Sequence, residues 1–91
     1  MDISIDTSEG LIYIKIKTGK IFKTVELDSV NEIFVDLDKK NKVIGFEIIN
    51  PINITTRELN NFARRFNVPQ LRMLSPQGMK DIVKGKELIP A

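Results

Sequence analysis

Apolar and charged residues alternate along 12–17: Ile12, Ile14 and Ile16 fall on one side of an extended chain and Lys15 and Lys17 on the other, the period of a half-buried strand. Thr18-Gly19 follows, where a glycine supplies the positive φ of a tight hairpin turn. Ile21 to Leu27 resumes the alternation, with Ile21, Val25 and Leu27 set against Thr24 and Glu26. The spacing predicts that these two strands pair as a hairpin. Asp28-Ser29-Val30-Asn31 breaks the pattern with turn-forming residues, and Ile33 to Leu37 reads as a third strand. Asp38-Lys39-Lys40-Asn41 is a second hairpin turn, with Asn41 suited to the left-handed position because its short amide tolerates that geometry. Val43 to Ile49 returns as a fourth strand, and Ile3 to Ile5 is a short leading one before the turn Thr7-Ser8-Glu9-Gly10. Connections this short make an antiparallel meander of four or five strands the economical topology.

Phe34 and Asp36 alternate with Ile33, Val35 and Leu37, while Ile44, Phe46 and Ile48 oppose Val43 and Ile49, so both faces of the sheet are expected to carry apolar side chains. One face takes helices; the other needs a curled sheet or a second copy of the chain. Pro51 ends the sheet region. Thr55 with Glu58 forms a capping box, Ile54 and Leu59 stand where a hydrophobic staple puts them, and Leu59, Phe62, Ala63 and Phe66 repeat at helical spacing. A helix from Thr55 to Phe66 is predicted, with Arg57 and Arg64 opposite its apolar stripe. Asn67-Val68-Pro69 opens a shorter helical stretch with Leu71, Met73 and Leu74; Ser75-Pro76 caps another that carries Met79, Ile82 and Val83 to a stop at Gly85, and Lys86 to Ala91 is extended.

The fold class is therefore α+β: an antiparallel β-meander packed against a C-terminal helix and shorter helices. A chain of 91 residues holds one hydrophobic core, so residues 1–91 are read as a single domain, with the meander in 1–50 and a helical tail in 51–91. Neither cysteine nor histidine is present, which excludes disulfides, thiolate nucleophiles, Cys/His zinc sites and His-activated serines. No apolar run approaches the length of a membrane span and the amino terminus lacks a leader pattern, so a cytoplasmic protein without cofactors is expected. The net charge of +2 is unevenly placed. Residues 1–50 hold seven Lys against nine Asp and Glu, a net of −2; residues 51–91 hold seven Lys and Arg against three acids, a net of +4.

Three constellations carry candidate chemistry. Asp36 and Asp38 share one face of a strand, and with Glu47 on the neighbouring strand they are the candidate oxygen ligands for Mg²⁺ or Ca²⁺, provided the register brings Glu47 to that face. Against this, Asp38 suits a turn, and Asp36 and Glu47 suit structural bonds to backbone or lysine. Tyr13 leaves the Ile12/Ile14 face beside Lys15, as a packing residue whose hydroxyl reaches water or a carboxylate. Arg57, Arg64, Arg65 and Arg72 are the candidate phosphate contacts of a helix-turn-helix-like stretch, although Pro76 interrupts the segment that would enter the groove.

Asp6, Leu11-Ile12-Tyr13-Ile14, Glu26-Leu27, Val35-Asp36-Leu37-Asp38 and Val43-Ile44-Gly45-Phe46-Glu47-Ile48 together resemble the signature of small prokaryotic proteins grouped as domain of unknown function 2283. The resemblance covers about the first fifty residues and leaves the tail outside. Gly10 stands where that signature usually has an acid, although Glu9 is adjacent. The resemblance implies no established reaction; through an association with small toxin-like genes it implies an antitoxin-like or protein-binding role.

The sequence thus points to a non-enzymatic protein-interaction module, partnered by itself as a homodimer or by another small protein, with an apolar strand face or edge as the contact. A nucleic-acid-binding regulator using the arginines and a carboxylate-based metal enzyme are the alternatives.

Overall fold

The computed structural model describes residues 2–6, 11–49 and 51–81. Five strands, β1 (Asp2–Asp6), β2 (Leu11–Lys15), β3 (Lys23–Asp28), β4 (Ile33–Leu37) and β5 (Val43–Ile48), form one sheet in the order β1-β2-β5-β4-β3, every pair antiparallel. A 3₁₀ turn (Pro51–Asn53), helix α1 (Thr56–Arg65), a second 3₁₀ turn (Pro69–Met73) and a helix α2, described over 76–81, follow. This is the α+β arrangement that the pattern predicts. The expected turn at 7–10, the stop at Gly85 and the extended end lie outside the described residues.

One pairing differs from expectation. β3, β4 and β5 form a meander, but β2 pairs with β5 rather than with β3, the strand order of a Greek key. The hairpin read across Thr18-Gly19 does not form, and Gly19 does not take a positive φ; a β-carbon placed on it lies at ordinary contact distance, 3.5 Å, from Ile44 Cδ1. Instead residues 16–22 cross one end of the sheet, with Ile16 and Lys17 N–H donating to the Ile44 carbonyl and Phe22 N–H to that of Leu37. Three strand spacings are about 14 Å, within reach of seven extended residues. β3 accordingly starts at Lys23, leaving Ile21 and Phe22 outside the strand and exposed.

The two tight connections of the meander use their local chemistry. Asn41 adopts φ 62°, as its side chain allows, and Asp38 takes backbone N–H bonds from Lys40 and Lys42 to close the β4–β5 turn. In the β3–β4 turn Asp28 Oδ1 accepts from Val30 and Asn31 N–H, and Glu32 is the residue that takes the left-handed conformation, at φ 54°.

One contiguous core draws on both halves of the chain. Ile12, Ile14, Ile33, Val35, Phe46 and Ile48 line one face of the sheet. Ile54, Leu59, Ala63, Val68, Leu71 and Met79 cover it. Each fully buried aliphatic side chain contributes about 1.5–3 kcal/mol, so the helical tail is held chiefly by these residues. Thr55 caps α1 by accepting from Glu58 N–H at 3.2 Å, Ile54 and Leu59 staple its entry, and Phe66 meets Phe46 edge-on at 5.8 Å between ring centres.

The opposite face overturns the second expectation. It carries Leu11, Tyr13 and Lys15 from β2, Thr24 and Glu26 from β3, Phe34 and Asp36 from β4, and Gly45 and Glu47 from β5. Leu11 and Phe34 are its half-buried apolar members among otherwise polar or small residues. Leu37 follows Ile33 and Val35 onto the core face by simple alternation, and Val43 joins it there because a register shift between Asp36 and Leu37 breaks the alternation at the start of β5. Among the described residues one face of the sheet is apolar and the other is mostly polar.

Candidate interaction surface

On the polar face the register places Tyr13 diagonal to Gly45 and Gly45 opposite Asp36. The Tyr13 ring crosses β5 over the bare glycine and donates its hydroxyl to Asp36 Oδ2 at 2.8 Å, while Thr24 Oγ1 donates to Oδ1 at 2.5 Å. Asp36 is buried and serves three strands as their common acceptor. Burial first, and then the hydrogen bond to Asp36, push the Tyr13 phenol above its ordinary value near 10.

The phenol's raised value has a measurable consequence. A group whose value is raised on folding contributes stability that is complete below the unfolded value, about 10, and is lost as the pH climbs through the folded one. Tyr13 is the single tyrosine and there is no tryptophan, so phenolate absorbance reports it alone. In the native protein it stays protonated at about pH 11, whereas the urea-unfolded chain ionises near the reference value; a native midpoint near that of the unfolded chain refutes the Tyr13–Asp36 arrangement.

The three candidate metal ligands are not brought together. Glu47 does reach the Asp36 face, opposite both Tyr13 and Phe34, but Asp36 is committed to its two hydroxyl donors. Asp38 lies beyond the strand end in the β4–β5 turn, where it binds two backbone N–H groups and the Lys17 ammonium at 2.6 Å. The Lys17 bond first, then the turn N–H groups, lower its carboxyl to about 2. Among the described residues no three acids, histidines or cysteines converge as metal ligands.

The four candidate arginines lie exposed on the helical layer. Arg64 bonds Asn61 Oδ1 at 3.0 Å, Arg65 lies 5.0 Å over the Phe66 ring, and Arg57 and Arg72 stand at the start of α1 and in the second 3₁₀ turn.

Sequence reasoning missed a different surface. Where residues 16–22 cross the sheet end they pass beside the β4–β5 turn, and the two segments enclose a cleft of about 490 Å³. Lys17, Lys20, Lys39, Lys40 and Lys42 rim it. Ile21 and Phe22, 48% and 61% exposed, form its apolar wall. Asp38 is the acid in this rim, and Lys17 already occupies it. The run Lys39-Lys40-Asn41-Lys42 is visible in the sequence; its meeting with Lys17 and Lys20 follows only from the crossing.

The other end of β3 has the opposite character. Asn31 Nδ2 donates to Asp28 Oδ2 at 2.9 Å and to the Glu58 carboxylate at 3.3–3.4 Å, tying the β3–β4 turn to the first turn of α1. Backbone N–H of Asn31 above all holds the Asp28 carboxyl below its ordinary value, while partial burial and the neighbouring Asp28 raise that of Glu58. Val30 projects from this turn, 77% exposed, next to the exposed Glu32. Among the described residues three of the four exposed large apolar side chains, Ile21, Phe22 and Val30, therefore flank β3; Met73 is the fourth.

A family model described as Protein of unknown function (DUF2283) matches residues 3–50. The chain belongs to this family. The matched segment holds β2 to β5, nearly all of β1, the lysine cleft and both ends of β3, and it stops before the helices that cover the core face. No curated protein and no solved structure matches the chain. Among the described residues no helix is long and apolar enough to cross a membrane.

Proposed function

We propose that this protein is a non-enzymatic interaction module that acts as a homodimer through the free edge of its sheet at β3. The observation that carries the reading is the placement of Ile21, Phe22 and Val30 at the two ends of a strand that, among the described residues, pairs with β4 alone. An edge strand presents unpaired backbone donors and acceptors along its outer side, and a second strand satisfies them. On the opposite face the apolar side chains among the described residues, Leu11 and Phe34, are half-buried beside polar neighbours, so the contact belongs to the edge rather than the face.

Sedimentation velocity over micromolar concentrations is expected to give a dimer, and Phe22→Glu combined with Val30→Glu to shift it to monomer while circular dichroism stays unchanged. A strict monomer in the parent, or a dimer indifferent to both substitutions, overturns the proposal.

A further inference from the structure

Resting on that dimer, we infer that the lysine cleft of each copy receives the acidic β3–β4 turn of the other, so that charge fixes the two β3 strands antiparallel. The two ends of β3 are complementary in chemistry. At one end, an apolar wall of Ile21 and Phe22 stands inside a lysine rim. At the other, the exposed Val30 stands in a turn that also carries Asp28 and the exposed Glu32. The apolar tip matches the wall and the flanking acids match the rim.

Charge bookkeeping within the chain favours the same occupant. Of the five rim lysines, Lys17 is the one with a carboxylate within ion-pair distance among the described residues, because Asp38 is taken by it. Lys20, Lys39, Lys40 and Lys42 are left for a partner. In the turn, Asp28 accepts from the N–H groups of Asn31 and Val30, which favour its ionised form.

Geometry then decides the orientation. Six residues of β3 span about 20 Å. Two copies related by a two-fold axis across this edge bring each turn beside the other's cleft, and the contact is made twice by symmetry. A parallel arrangement sets lysine rim against lysine rim and turn against turn, which like charges oppose.

The test is a charge exchange followed by sedimentation and native mass spectrometry. Lys39→Glu/Lys40→Glu/Lys42→Glu and, separately, Val30→Lys/Glu32→Lys each weaken self-association at least tenfold, and mixing the two variants restores a heterodimer. These positions are exposed or in turns, except that Asp28, which holds the turn, is left intact. The parent dimer also dissociates more readily as sodium chloride rises, as screened ion pairs require. A parent dimer unmoved by salt and by both variants, or a mixture that gives no heterodimer, overturns the charge-matched docking while leaving a dimer of other geometry; a parent that is strictly monomeric overturns the dimer and this docking together.

Discussion

Placing alanine or valine at Gly45 lowers the free energy of unfolding by about 3 kcal/mol or more, combining the cost of overpacking with that of a lost bond to a charged acceptor. A β-carbon on Gly45 falls 2.6 Å from Cζ and 2.7 Å from Cε1 of Tyr13, well inside contact distance. The ring cannot yield cheaply, because its hydroxyl is fixed on Asp36 on the far side of β5. Displacing it leaves a buried carboxylate short of a donor. The origin of the penalty is open to a double-mutant cycle: in a Tyr13→Ala background Gly45→Ala is nearly neutral, because the clashing ring is gone. Additive losses, measured by urea unfolding, refute this account.

Asp36→Ala is the second large effect, with an expected loss of about 3 kcal/mol, since two hydroxyls bonded to a carboxylate contribute about 1.5–3 kcal/mol each and some of this is recovered by water. The substitution strands the Tyr13 and Thr24 hydroxyls on a face where both had been oriented for one acceptor. Removing all three polar groups together, in Tyr13→Phe/Thr24→Val/Asp36→Ala, costs less than the sum of the single changes, because no unpaired donor is left behind. The same Asp36→Ala variant brings the native Tyr13 midpoint down toward the usual phenol value, since the hydrogen bond and the charge of Asp36 are both removed while partial burial remains. A loss under about 1 kcal/mol, together with an unmoved phenol, means that Asp36 is not the acceptor that joins the three strands.

Both predictions concern residues whose roles are not readable singly. Tyr13, Asp36 and Glu47 stand out in the sequence as the polar members of strands, and the bland reading of Tyr13 as a packing residue that reaches a carboxylate agrees with the structure. Gly45 gives no signal of its own, because the need for a missing side chain exists only once β2 and β4 lie on either side of β5.

What the sequence by itself determined is whatever depends on neighbours within a few residues. The two-residue alternation of Ile12-Ile14 and Ile33-Val35, the cap of Thr55, the staple of Ile54 and Leu59 and the left-handed Asn41 are local matters of pleat, cap and turn, and the strands, α1 and the α+β class followed from them. Tertiary structure alone decided which strands pair. A tight turn and a seven-residue crossing look alike at Thr18-Gly19; burying β2 beside β5 was settled by packing Ile12 and Ile14 against Ile48 and Phe46, partners more than thirty residues away. From that choice came the exposed Ile21 and Phe22, the lysine cleft and the polar face, for a strand's period fixes which residues share a side, whereas only its neighbours fix whether that side is covered.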